Sequence, residues 1–218
     1  MLQQILCLLI ASSLFPQGAA VTQEERAAPY NDADAFEVYS AILPSEWPLR
    51  VANAKTLVIS SATVGYRICL VPEKESEEIF GPAISDYSRM NEKPRLLQQK
   101  LSLEIPYELI TSDELKSTFE QGGWEGFYAQ HPDSRGWVEL SAVGFNADKT
   151  VAVVYMGHHC GMLCGGGGFH ILQKKDGKWT ALKWRGPELR LGVLNSVWTN
   201  GTSNERTRRP IGGSLRQL

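Results

Sequence analysis

The spacing of hydrophobic positions changes part-way along this chain. Near the start, Ala35, Val38, Tyr39 and Ile42 recur at steps of three and four, which predicts one buried helical face. Asp32 or Asp34 is placed to cap that helix, and Pro44 to end it. Thr56 to Ser60 and Tyr66 to Val71 read as short strands, the second carrying Cys69. From Glu73 to Glu120 the pattern is helical but broken. Pro82 opens a turn through Ile84, Tyr87 and Met90, a segment around Leu96 to Leu101 follows, and Ser112-Asp113-Glu114-Leu115 leads into Thr118 and Phe119. The two acids suit the positive end of a helix dipole.

Beyond Gly122 the period shortens to two. Trp137 to Phe145, Thr150 to Met156, Gly168 to Gln173 and Lys178 to Trp184 are strand-like, and the separators between them are too short for anything but antiparallel neighbours. Asp176-Gly177 is the strongest hairpin signal, because both central residues of that turn take positive φ. Val151, Val153 and Tyr155 fall on one face of their strand and Ala152, Val154 and Met156 on the other. Apolar residues on both faces imply a central strand covered on each side. The expectation is an α+β domain: a helical N-terminal half on a C-terminal antiparallel meander of about four strands, with one or two short N-terminal strands.

The ends differ from this pattern. Ile5 to Phe15 form an apolar run too short to anchor in a bilayer, broken by Pro16 and followed by Gly18-Ala19-Ala20. Residues 1–20 therefore read as a secretory signal, 21–32 as a linker, 33–198 as one domain and 199–218 as a disordered tail. No integral membrane segment is expected after signal cleavage. The expected location is secreted or periplasmic. The net charge of −2 gives no reason to expect nucleic acid or an anionic membrane as partner. Without the signal, the cysteines are Cys69, Cys160 and Cys164, an odd number in an oxidising compartment.

Candidate chemistry concentrates between His158 and His170, which reads His-His-Cys-Gly-Met-Leu-Cys-Gly-Gly-Gly-Gly-Phe-His. A disulfide between Cys160 and Cys164 is the leading reading, since Gly161 frees the backbone to bring the two side chains together; Cys69 is the other candidate partner. The alternative is a Zn or Cu site built from His158, Cys160, Cys164 and His170, although the spacing matches no zinc-finger pattern. Thiol redox chemistry is disfavoured, for it usually takes Cys-x-x-Cys opening a helix. The glycines do not read as a phosphate cradle, because no helix opens after them. Trp124, Tyr128 and His131 form a candidate ligand groove. His131-Pro132-Asp133-Ser134 contains the residue types of a hydrolase triad, but so close a spacing reads as a turn.

The stretch from Phe127 to Trp179 resembles a group of uncharacterised secreted bacterial proteins. The likeness rests on Val143-Gly144-Phe145, Val154-Tyr155, the Cys160-Gly161-Met162-Leu163-Cys164-Gly165 loop and Asp176-Gly177-Lys178-Trp179. It implies a bacterial exported protein that uses the cysteine loop as a unit, and it brings no known activity. His159 and His170 lie outside the shared pattern. The expected function is a non-catalytic exported binding or envelope-associated module, with no cofactor and a structural disulfide loop; a metal-binding protein or metalloenzyme is the rival.

Overall fold

The computed structural model describes residues 24, 27–50, 54–66, 70–72, 74, 76–182 and 191–193. Residues 1–20, read above as a signal, the stretch 199–218 and Cys69 lie outside the described residues. In chain order the elements are β1 (Ala28–Pro29), α1 (Ala33–Arg50), β2 (Leu57–Ser60), β3 (Leu70–Pro72), α2 (Glu77–Met90), β4 (Arg95–Leu96), β5 (Tyr107–Ile110), α3 (Ser112–Gln130), β6 (Trp137–Leu140), β7 (Gly144–Phe145), β8 (Val151–Gly161), β9 (Cys164–Lys175), β10 (Lys178–Ala181) and β11 (Leu191–Val193).

The fold is α+β, built on a mixed sheet in the order β10-β9-β8-β6-β2-β5, with β7 also against β8. The meander β8-β9-β10 is antiparallel as expected. Its last turn has Asp176 at φ 50° and Gly177 at φ 74°, both in the left-handed region. The other half departs from the expectation, for β2 runs parallel to both β5 and β6. β5 and β6 flank β2 and run in the same direction, which takes a long connection between them, and the 19 residues of α3 supply it. Two short pairs stand apart from this sheet, β1 with β4 and β3 with β11. The first lies within the stretch read as linker, where Tyr30 is also buried.

Both faces of β8 are covered. Ala152, Val154 and Met156 pack with Val138 and Leu140 beneath Phe36, Tyr39 and Ile42 of α1. On the opposite face, Val151, Val153 and Ile171 meet Phe80, Ala83 and Tyr87 of α2. Further along that second face, Val58 and Trp137 pack with Phe127 of α3. Two helices thus share one side of the sheet.

Local boundaries moved for identifiable reasons. Pro44 does not end α1, and Pro82 sits inside α2 rather than opening it. The cap of α3 is Thr111, not Ser112: its hydroxyl accepts from the Glu114 amide at 3.1 Å while Glu114 Oε2 accepts the Thr111 N–H at 2.8 Å. Those bonds hold the Glu114 carboxyl below the usual carboxylate range. The stretch around Leu96 to Leu101 is not helical. The predicted strand from Trp137 to Phe145 is interrupted at Ser141 to Val143, where the Asn91 side chain accepts the Ala142 N–H (2.8 Å) and donates to the Ala142 carbonyl (2.9 Å).

Candidate functional site

The hairpin of β8 and β9 ends in the predicted disulfide. Cys160 and Cys164 are bonded, with their Cα atoms 5.0 Å apart. Met162 and Leu163 at the tip are 91% and 104% exposed, far beyond what apolar side chains usually show. Tyr128 of α3 anchors the base of the ring by donating its hydroxyl to the Cys160 carbonyl at 2.9 Å.

The pairing Trp137↔His159 and Glu139↔Gly157 sets those side chains on the face shared by α2 and α3. Tyr155, at even spacing on β8, joins them. Here a polar group sits among aromatic rings. Tyr66 donates its hydroxyl to Glu139 Oε1 at 2.8 Å. His159 Nε2 lies 3.2 Å from Glu139 Oε2, an ion contact rather than an aligned hydrogen bond. The Glu139 side chain is 12% exposed and that of His159 39%. Burial pushes the Glu139 carboxyl up, but His159 and the Tyr66 hydroxyl outweigh it and hold the carboxyl below its ordinary range. Burial and the same carboxylate push the Tyr66 hydroxyl well up, and the Tyr155 hydroxyl rises for the same two reasons.

Glycines make room for this arrangement. A Cβ at Gly157 would come within 2.7 Å of Glu139 Oε1, and one at Gly167 would overlap the Tyr155 hydroxyl. Gly136, at φ 96°, abuts the backbone of His159, so close an approach that no side chain fits.

The aromatic wall belongs to α3. Gly123 (φ 55°, ψ −140°) kinks that helix, and after it Trp124, Phe127, Tyr128 and His131 recur at steps of three, four and seven on one face. Their rings continue onto the sheet as a stack. Centroids lie 5.8 Å apart for Tyr128–Trp124, 5.1 Å for Trp124–Trp137 and 4.8 Å for Trp137–His159, with interplanar angles of 29°, 20° and 18°. On the other side Tyr66 lies over Tyr155 at 4.2 Å, and Tyr155 meets Phe169 edge-on at 5.4 Å.

The residues singled out from sequence divide between this site and other places. Trp124, Tyr128 and His131 do come together on α3. His131 has a carboxylate partner, Glu108 Oε1 at 2.6 Å from Nδ1, but its buried Nε2 meets no hydrogen-bonding group among the described residues. Ser134 is engaged with the His131 backbone carbonyl (2.8 Å) and not with the ring. The triad reading ends there, and the turn reading holds.

The four proposed metal ligands do not converge. Both sulfurs are consumed in the disulfide, and His158 is buried with Nε2 2.7 Å from the Arg135 carbonyl. His170 pairs with Val154, four strand positions from His158. Among the described residues no group of three or more His, Cys, Asp or Glu side chains is arranged to hold a metal ion. Sequence reasoning missed Tyr66, Glu139 and Tyr155, and set His159 aside. The register between β6 and β8 joins Glu139, Tyr155 and His159, and the loop after β2 brings Tyr66 to them.

An opening of about 610 Å³ lies on the α1 side between Phe36, Glu37, Ser40, Lys100, Lys178 and Trp179. Its Glu37 meets Lys174 at 2.9 Å, and that charge network continues through Asp34 and Lys149.

No protein-family model, curated protein or solved structure matches the chain.

Proposed function

We propose that the protein is an exported, non-catalytic binding module whose ligand seat is the sheet face between α2 and α3. The observation that carries this is the half-exposed His159 ring, which ends a four-ring stack and stands beside the sunken Glu139 carboxylate. Stacked rings offer a flat apolar contact, and a carboxylate recessed among them orients a hydrogen-bond donor. A small ligand with a ring face and a donor group, such as a pyranose sugar, fits that chemistry. The hydroxyl that meets this carboxylate is that of Tyr66, which burial and Glu139 hold protonated, so it donates a hydrogen bond rather than attacking, which favours binding over bond cleavage. Export is supported by the signal-like residues 1–20, the oxidised cysteine pair at an exposed tip, and the likeness to uncharacterised secreted bacterial proteins.

The test is a titration of ring-bearing ligands, pyranose oligosaccharides first, followed by tryptophan fluorescence. Trp137→Ala and Glu139→Gln each weaken binding at least about tenfold if the seat is assigned correctly. Unchanged affinity in both variants would place the ligand elsewhere.

A further inference from the structure

The two ends of the aromatic stack converge on one peptide. Tyr128, at one end, donates its hydroxyl to the Cys160 carbonyl, and His159, at the other end, is the residue before that cysteine. His159 pairs across the hairpin with Gly165, and each of the two stands one position from a bridged cysteine. The ladder that holds this pair is weak on both strands. Its register shifts between His159 and Gly161, and β9 sets four consecutive glycines, Gly165 to Gly168, opposite His159 to Met156. A bulge interrupts regular pairing, and glycine loses more backbone entropy on ordering than any other residue. The Cys160–Cys164 bond therefore carries much of the restraint on the pair that presents His159.

We propose that this bond is a redox latch on the ligand seat, closed when oxidised and open when reduced. The proposal rests on the reading of the face around Glu139 and His159 as that seat. The cysteines catalyse nothing themselves; a dithiol reductant brings the two electrons. One of its thiolates attacks the sulfur of Cys164, the exposed member of the pair, and Cys160 leaves as a thiolate and takes a proton. The second thiol of the reductant then attacks the mixed disulfide, which frees Cys164 as a thiol and leaves the reductant as a disulfide. A ring closed over a sequence separation of 4 stabilises the fold only weakly, so opening it leaves the rest of the sheet paired. The change is local. The His159–Gly165 pair frays, the His159 ring leaves Trp137 for part of the time, and fewer molecules hold a complete stack. Affinity falls with the fraction that do.

The test compares the oxidised full-length chain with the same chain in dithiothreitol. Without ligand, reduction should move the Trp137 indole resonance in a ¹H–¹⁵N spectrum, because the stacked His159 ring no longer shields it fully, and should leave α1 unmoved. Tryptophan fluorescence titration with pyranose oligosaccharides should show affinity at least about fivefold lower in the reduced protein. Cys160→Ser combined with Cys164→Ser should match the reduced protein and ignore dithiothreitol. Equal affinity in both states, with Glu139→Gln still weakening binding, leaves the seat in place and overturns the latch. A Trp137 indole resonance indifferent to reduction overturns it whatever the sugars do. Absence of binding in both states refutes the ligand reading instead, and the indole resonance then decides the latch alone.

Discussion

Tyr66 donates its hydroxyl to Glu139 across 73 positions of sequence, and that bond fixes a carboxylate beside His159 in an aromatic surround. Tyr66 comes from the loop after β2 and Glu139 from β6, so the site forms only once the sheet is assembled.

Replacing the carboxylate tests this directly. Glu139→Gln is expected to cost about 1.5–3 kcal/mol at pH 7, the range for a hydrogen bond to a charged group. The folded Glu139 carboxyl lies below its ordinary value, so its contribution is complete above about pH 4–5 and is lost as pH falls through the folded value. Urea denaturation of both proteins at several pH values should therefore show the gap closing in acid. A gap independent of pH would contradict the charge assignment.

Gly136 gives a steric prediction. A Cβ there overlaps the His159 backbone, and the residue holds φ 96°. Gly136→Ala should destabilise by about 3 kcal/mol or more, lowering Tm by about 6–12 °C in a chain of this size. Gly168→Ala, with nothing near its Cβ, should leave Tm within about 2 °C.

The disulfide closes a small ring, so its loss should cost only roughly 2 kcal/mol in the chain-entropy model. Thermal unfolding of Cys160→Ser combined with Cys164→Ser measures it. Alkylation of the native protein should leave the peptide spanning both cysteines unlabelled until reductant is added.

Tyr128→Phe removes the hydroxyl that holds the Cys160 carbonyl at 2.9 Å. A loss of about 1 kcal/mol is expected. Amide hydrogen exchange should rise at the hairpin tip and stay unchanged around α1.

The features legible in the sequence were those set by local chemistry. The two faces of Val151 to Met156, the positive-φ turn at Asp176-Gly177 and the short Cys160–Cys164 span each depend on a few neighbouring residues, and each stands as expected. The parallel strands were not legible. Tyr107 to Ile110 is only four residues long, and its partner β2 lies far earlier in the chain, so its direction is set by tertiary pairing. The aromatic face of α3 was there to be read in the spacing of Trp124, Phe127, Tyr128 and His131, and the change of pattern at Gly122-Gly123 marks a real interruption, for Gly123 at φ 55°, ψ −140° separates two helical stretches. The network of Tyr66, Glu139 and His159 had no sequence signal, for it depends on the register between β6 and β8 and on where the loop after β2 sets Tyr66.

Mapping ligand-induced shifts in a ¹H–¹⁵N spectrum during titration with ring-bearing ligands decides where the seat lies. The account predicts shifts centred on the Trp137 indole, Tyr66 and His159, absent in Glu139→Gln. Shifts centred on Trp179 and Lys178, in the cleft beside α1, would contradict it.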